Sequence, residues 1–130
     1  MEYITIATLG NAHDFGDLSN INQGAGGAAN SVVGLIGNGY ISADTATIDK
    51  VIIATTGNAT EFGDTTDARR WVGGMASSTR AVWTGGYDPN VSNLIDYTSI
   101  ATGGDAVDFG DMTEQLGGHT SNSNCHGGLG

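Results

Sequence analysis

An eight-residue motif recurs in this chain at a constant interval, and this interval limits the fold more than any other sequence feature. Residues 10–17 read GNAHDFGD, residues 57–64 read GNATEFGD and residues 104–111 read GDAVDFGD, so successive copies begin 47 residues apart. Aligning 25–71 with 72–118 requires no gap and gives 17 identical positions, whereas a shared glycine bias alone would give roughly four. The chain is therefore built from a duplicated unit, and a period in the forties is typical of propeller blades and related arrays.

Each period contains four strand-like segments separated by turn residues. In the second full repeat these segments are residues 73–78, 80–86, 94–102 and 105–110, and no window places apolar residues at helical spacing over three turns. Glycine occupies 22 positions, which suits tight turns that need positive φ angles. Four short strands make one small antiparallel sheet, which needs cover on both faces. Because stacking such sheets around an axis supplies that cover, we predict an all-β fold, a β-propeller of four-stranded antiparallel blades.

The period divides the 130 residues into one repeat domain with incomplete units at its two ends. Residues 1–24 and 119–130 are partial repeats that flank the full repeats 25–71 and 72–118, so the chain carries about three blades. The first partial repeat starts at a third strand, and the last stops after a second strand. Because rings typically have four to eight blades, we expect two chains to close a six-bladed ring as a homodimer, with blades completed across chains. A nine-bladed trimer and a fragment of a longer array are the alternatives.

The residue order within the period resembles the kelch repeat of β-propellers. A hydrophobic strand is followed by a glycine pair, a tyrosine, an aliphatic–aspartate strand start, a late aromatic residue and an alanine–arginine pair. Here these are Val82-Trp83, Gly85-Gly86, Tyr87, Ile95-Asp96, Phe109 and, one repeat earlier, Ala68-Arg69. The late aromatic residue is phenylalanine in this chain, where kelch repeats usually carry tryptophan.

The stretch IATTGNATEFGDTTDARR is similar to degenerate repeats of bacteriophage virion-associated proteins, especially marine ones. The kelch resemblance implies a propeller, and the phage resemblance implies a virion-associated location. Kelch-like repeats host enzymes, adhesins and adaptors alike, so neither resemblance specifies an activity.

The charge balance limits the partners of the chain. There are 14 Asp and Glu residues against four basic ones, which gives a net charge of −10. Such a surface repels phosphate backbones and anionic head groups, so we expect neither nucleic acid nor membrane as a partner. The single cysteine, Cys125, cannot form an internal disulfide. The opening residues MEYITIATLG lack the basic and apolar segments of a signal peptide, so we expect a soluble chain.

The FGD tripeptide that ends each motif has a structural and a metal-binding interpretation. In the first, Phe15, Phe62 and Phe109 are wedges between neighbouring sheets, each worth about 1.5–3 kcal/mol. Gly63 then supplies an unusual backbone angle, and the Asp64 side chain accepts from nearby backbone N–H groups. In the second, calcium is bound by carboxylates at three-residue spacing, which are Asp14, Asp17, Glu61, Asp64, Asp108 and Asp111. That spacing lacks the alternating ligands and the bidentate acid of an EF-hand loop, so we favour the structural role.

Other patterns do not indicate a catalytic centre. His119, Cys125 and His126 lie near the C-terminus and His13 lies elsewhere, without the paired spacing of a zinc site. The nucleophile-elbow pattern G-x-S-x-G and the P-loop pattern are both absent. We therefore predict no cofactor and no enzymatic activity.

The best binding candidates lie on the loops from second to third strands and from one repeat to the next, which share one face of a propeller. These loops carry Tyr40, Asp44, Asp67, Arg69, Arg70, Trp71, Tyr87, Asp88 and Asn90. Tyrosines, carboxylates and amides on loops above a rigid scaffold suit sugar or peptide recognition. We predict that Tyr40, Arg70, Trp71, Tyr87 and Asp88 bind a ligand. We add Arg80, because the other repeats carry Val33 and Gly127 at its position.

The alternative is that these residues stabilise the fold. Tyr40 and Tyr87 would pack against the glycine pairs, and Trp71 and Trp83 would fill the space between sheets. Arg69 and Arg70 would pair with neighbouring acids such as Asp64 or Asp67.

Two classes of function follow from these observations. The first is a non-enzymatic binding or structural module, whose partner is a carbohydrate or, as the phage resemblance implies, a virion protein. The second is a hydrolase- or lyase-type enzyme on the loop face, which would need one divergent cluster of ionisable residues. A purely structural repeat protein is a further alternative. Near-equal repeats favour several similar weak sites over one catalytic centre, so we favour the binding module.

Overall fold

The computed structural model describes residues 1–123 and contains only β-strands, turns and loops there. The strands are β1 (Glu2–Tyr3), β2 (His13–Asp14), β3 (Gly26–Ala29), β4 (Val33–Gly37), β5 (Thr47–Ile52), β6 (Thr60–Asp64), β7 (Gly73–Ala76), β8 (Arg80–Thr84), β9 (Tyr87–Asp88), β10 (Asn90–Val91), β11 (Leu94–Ser99) and β12 (Val107–Asp111). Two four-stranded antiparallel sheets have the orders β3-β4-β5-β6 and β7-β8-β11-β12. Two small sheets pair β1 with β2 and β9 with β10, and none of these sheets closes on itself. The prediction of an all-β fold is confirmed.

The strands of the second large sheet repeat those of the first at the sequence period. β7, β8, β11 and β12 begin and end 47 residues after β3, β4, β5 and β6, respectively. Both sheets carry a β-bulge at the same position, between Ile48 and Asp49 on β5 and between Ile95 and Asp96 on β11. The hairpin of β1 and β2 lies 47 residues before parts of β5 and β6, so it corresponds to the last two strands of a four-stranded sheet.

The two large sheets pack against each other along their first strands, β3 and β7. Glycines permit this approach, because a Cβ on Gly74 would lie 2.3 Å from the carbonyl oxygen of Gly27. Trp83 on β8 is fully buried, and its Nε1 donates to the carbonyl of Gly26 in the first sheet at 3.3 Å. A Cβ on Gly37 would lie 2.7 Å from the same indole, so Trp83 occupies the space that two glycines leave open.

The repeated motif joins successive sheets through its two ends. We call its first three residues the donor half (10–12, 57–59 and 104–106) and its FGD residues the acceptor half (15–17, 62–64 and 109–111). The N–H groups of Gly57 and Ala59 donate to the carbonyls of Phe15 and Asp17 at 2.6 and 2.8 Å. The Asp17 N–H donates in return to the side chain of Asn58 at 3.0 Å.

The same bonds recur one repeat later. Gly104 and Ala106 donate to the carbonyls of Phe62 and Asp64 at 3.2 and 2.7 Å, and the Asp64 N–H donates to the Asp105 carboxylate at 3.1 Å. The donor half of each repeat therefore binds the acceptor half of the repeat before it. This contact gives a physical reason for the recurrence of the motif, since each copy must fit both neighbours.

The structure corrects the roles expected for the FGD residues. Asp64 contributes its backbone N–H and carbonyl to the junction, and within residues 1–123 its carboxylate accepts no backbone hydrogen bond. The carboxylates that accept from the turn are those of Asp14 and Asp108, which bind the N–H groups two residues later at 3.1 and 2.8 Å. Phe62 packs against the buried core, but Phe109 is 56% exposed and lies edge-on to Tyr97 of its own sheet.

A buried aspartate on the third strand of each large sheet ties that sheet to the preceding linker. Asp49 accepts from the Ser19 N–H at 3.0 Å. Asp96 is fully buried and accepts from the Thr66 hydroxyl at 2.7 Å and from Arg69 Nη2 at 2.5 Å. Arg69 therefore pairs with an acid of the next sheet and not with Asp64 or Asp67.

Burial controls the ionisation of this pair. It raises the pKa of the Asp96 carboxyl, against the Thr66 hydroxyl and the Arg69 charge, which lower it. Burial likewise lowers the pKa of the Arg69 guanidinium, against the nearby Asp96 charge.

Candidate functional site

The candidate site lies where the linker between the two large sheets crosses the loops above them. Tyr40 and Tyr87 occupy equivalent positions after Gly39 and Gly86, whose φ angles are 119° and 107°. Tyr40 pairs with Gln23 and Tyr87 pairs with Arg70 in isolated antiparallel bridges. Because Gln23 precedes Arg70 by one period, the two bridges are copies of one arrangement, and Arg70 lies between the two tyrosines.

Arg70 is surrounded by aromatic rings. Its guanidinium carbon lies 4.8 Å from the ring centre of Tyr40 and 4.9 Å from those of Trp71 and Tyr87. Its Nη1 also donates to the Asp44 carboxylate at 3.0 Å. We call Tyr40, Asp44, Arg70, Trp71 and Tyr87 the Arg70 cluster. Three ring faces and one carboxylate hold the cation in a single orientation.

The Asp44 carboxylate belongs to an acidic rim around this cation. Burial raises the pKa of Asp44, the Arg70 charge lowers it, and the neighbouring Asp88 carboxyl raises it through its charge and a hydrogen bond. Asp88 itself is exposed on β9. The cluster therefore presents a fixed guanidinium beside two carboxyl groups that are close to each other.

Trp71 has a left-handed backbone conformation, and glycine occupies the equivalent position in the neighbouring repeats. Its φ is +58°, and the matching residues Gly24 and Gly118 have φ angles of +72° and +71°. A side chain in this left-handed region costs about 1–2 kcal/mol, and such outliers cluster at functional sites. The indole is 49% exposed, so about half of its surface stays open to solvent beside the cluster.

A surface depression of about 280 Å³ adjoins these side chains and is lined by Gln23, Tyr40, Arg70 and Trp71. Its volume is near the lower end of the range of about 300–1,000 Å³ for small-molecule sites. It combines an indole face, an amide and a guanidinium, so it suits a small polar ligand with one apolar face.

Of the predicted ligand-binding residues, Tyr40, Trp71 and Tyr87 all contact Arg70. Asp88 adjoins this group through Asp44. Arg80 lies elsewhere, on β8, where its guanidinium covers the Tyr97 ring at 4.8 Å. Gln23 was not among the predicted residues, although its place one period before Arg70 is a signal in the sequence. Trp83 fills the space between the large sheets, whereas Trp71 is 49% exposed and its buried part packs beside Gly24 of the preceding linker.

The metal-binding alternatives have little geometric support in the described part of the chain. Within residues 1–123, no three His, Cys, Asp or Glu side chains form a group that could hold a metal ion. His119 contacts the Thr84 hydroxyl at 2.9 Å through Nε2. Cys125 and His126 lie outside the described residues.

No helix of residues 1–123 has the length and apolar character that a membrane span requires. Comparison of the chain with protein-family models and with curated proteins gave no match. The assignment of a function therefore depends on the geometry of the Arg70 cluster.

Proposed function

We propose that this chain is a non-enzymatic binding module that recognises a carbohydrate at the Arg70 cluster. The observation that carries this proposal is Trp71, a half-exposed indole in a left-handed conformation that the equivalent positions reach with glycine. We assign the solvent-facing half of this indole, held in a strained conformation, to ligand contact.

The cluster offers the groups that a sugar requires. The exposed indole face can stack on the apolar face of a sugar ring. Among the described residues, Nη1 is the only guanidinium nitrogen of Arg70 that donates to a protein acceptor, so Nε and Nη2 remain to donate to ligand oxygens. Asp88 and Gln23 can accept from sugar hydroxyls at the rim.

The scaffold in this proposal is a kelch-like propeller. Two chains contribute their sheets as blades to a closed six-bladed ring, and the homodimer displays the Arg70 cluster twice. The strands that recur at 47 residues and the donor–acceptor junctions between sheets support this arrangement. The resemblance to phage repeats extends the proposal to a virion-associated protein whose partner is a glycan or a glycosylated virion component.

A glycan array tests the proposal, followed by calorimetric titration of the wild-type chain and its variants for affinity, and by tryptophan fluorescence of the wild-type chain for the location of the ligand. Trp71 and Trp83 are the only tryptophans, and Trp83 is fully buried, so a ligand at the cluster should change the emission of Trp71. We expect an array ligand to bind the wild-type chain and to bind Trp71→Gly at least tenfold more weakly.

Arg80→Gln is the matched control, because it changes another arginine–aromatic contact outside the cluster. This variant should bind like the wild-type chain. An array without any binder, or equal affinities of the wild-type chain and Trp71→Gly, would refute the proposed site.

A further inference from the structure

The motif halves at the two ends of the described stack do not have the partners that the inner halves have. The acceptor half of the last motif, Phe109–Asp111, receives no hydrogen bond from a following donor half among residues 1–123. The donor half of the first motif, Gly10–Ala12, contacts no preceding acceptor half in the same range. The first donor half has the sequence GNA of residues 57–59, and the last acceptor half has the sequence FGD of residues 62–64. The two open halves are therefore complementary.

The exposure of equivalent residues shows what a neighbouring repeat covers. The alanine of the donor half is exposed at Ala12, half-buried at Ala59 and buried at Ala106. The isoleucine at the end of the third strand shows the same trend, because Ile6 is 94% exposed and Ile100 is 6% exposed. The first repeat thus leaves in solvent the apolar groups that the later repeats bury.

The first strand of the first large sheet presents an open face as well. Gly27 on β3 is exposed, and a Cβ there would meet no atom of the described residues within 4 Å. The equivalent Gly74 lies directly against the backbone of the preceding sheet. β3 therefore has the shape to receive a further sheet on its outer side.

We infer that a second copy of this chain docks head to tail on these open surfaces. The N–H groups of Gly10 and Ala12 in one copy donate to the carbonyls of Phe109 and Asp111 in the other. The Asp111 N–H donates in return to the side chain of Asn11. These bonds repeat those made twice within the chain, with Asn11 as the counterpart of Asn58 and Asp105, so the contact requires no new geometry.

This inference rests on the proposed two-chain ring for its stoichiometry and is independent of the glycan site. A head-to-tail contact either closes on itself or continues into an open polymer. Two copies with two such contacts form the closed ring, in which neither motif edge stays open.

Light scattering coupled to size-exclusion chromatography tests the contact. We expect the wild-type chain to elute with twice its mass of 13.2 kDa, independent of concentration. Ala12→Gln adds a bulky polar side chain at a position that is exposed in the isolated chain, so the chain should fold normally. At a concentration where the wild-type chain is dimeric, this variant should elute as a monomer.

Ala7→Gln is the matched control, because Ala7 and its equivalents Ala54 and Ala101 are all exposed. This variant should keep the wild-type mass. Gly27→Val provides a second, independent block of the contact at a position with an ordinary strand conformation, and it should also give a monomer.

The possible outcomes separate the contact from the ring. A wild-type monomer at every concentration overturns both, whereas a dimer that persists in Ala12→Gln and Gly27→Val overturns the contact and retains the homodimer. A mass that grows with concentration and falls in both variants supports the contact but contradicts the closed ring.

Discussion

Removal of the Arg69 charge tests the account of the buried junction between the sheets. The side chains of Arg69 and Asp96 are both 0% exposed and meet at 2.5 Å. Arg69→Met retains a long side chain with an apolar stem but leaves Asp96 with the Thr66 hydroxyl as its remaining side-chain partner. Removal of one partner of a buried pair costs about 3–5 kcal/mol, because the other charge stays buried without compensation.

Protonation of Asp96 sets an upper limit on this cost. The variant can avoid a buried unpaired charge by protonating this carboxyl. For an ordinary aspartate pKa of about 3.9, protonation at pH 7 spans about 3 pH units and so costs about 4 kcal/mol at 1.36 kcal/mol per unit. We therefore expect Arg69→Met to lower the free energy of unfolding by about 3–4 kcal/mol at pH 7.

The pH dependence has a definite sign. Burial already raises the pKa of Asp96, and loss of the arginine charge raises it further, so the folded variant binds this proton more tightly than the unfolded chain. The stability of the variant therefore falls as the pH rises above about 4. The difference from the wild-type chain should therefore be largest at pH 7 and shrink as the pH falls toward 4.

Urea unfolding at pH 7, 6, 5 and 4, at one low protein concentration, measures this difference. Arg80→Met is the control, because Arg80 is an exposed arginine that also covers an aromatic ring, and its loss should cost less than about 1 kcal/mol. A loss below about 1 kcal/mol for Arg69→Met at pH 7, or a loss that is the same at every pH, would refute the reasoning.

Three further substitutions test the packing. Trp71→Gly should change the free energy of unfolding by less than about 1 kcal/mol, because relief of the left-handed strain offsets the lost contacts and the greater entropy of the unfolded chain. A loss near 3 kcal/mol in denaturant titration would show that this indole stabilises the fold. Leu35→Ala should cost about 2.7–5 kcal/mol because Leu35 is buried, while Leu9→Ala, at an exposed site, should cost almost nothing; similar losses would contradict the assigned core. Gly63→Ala should lower the melting temperature far more than Gly57→Ala. The two glycines have nearly equal φ angles, 157° and 159°, but only a Cβ on Gly63 would lie 2.5 Å from the backbone of the next sheet. Equal shifts in melting temperature would argue against the close junction.

The sequence predicted the sheets better than the contacts between them. The period and the turn residues were enough to place four strands in each unit, since strands and turns depend on residues close in the chain. The partners of the motif were not predicted. Asp64 binds the loop at Asp105, 41 residues away, and Arg69 binds Asp96 and not a neighbouring acid. These partners depend on how one sheet stacks on the next.

The candidate site was predicted in part. Tyr40 and Tyr87 share one position in the repeat, and Arg70 and Trp71 lie in the linker, so the period places all four on one group of loops. Arg80 was selected because it differs from its equivalents in the other repeats, but this difference does not specify location, and the residue lies on another surface.

The two tryptophans show which features follow from the local sequence and which depend on the tertiary structure. Strand positions follow from the order of residues, because backbone preferences and side-chain alternation act over a few residues. The burial of an indole depends on the space between two sheets. Trp83 is buried because Gly26 and Gly37, far away in the chain, leave room for its ring. Trp71 is half-exposed because its left-handed backbone lies at the linker, and only the stacked sheets determine which side chains that linker meets.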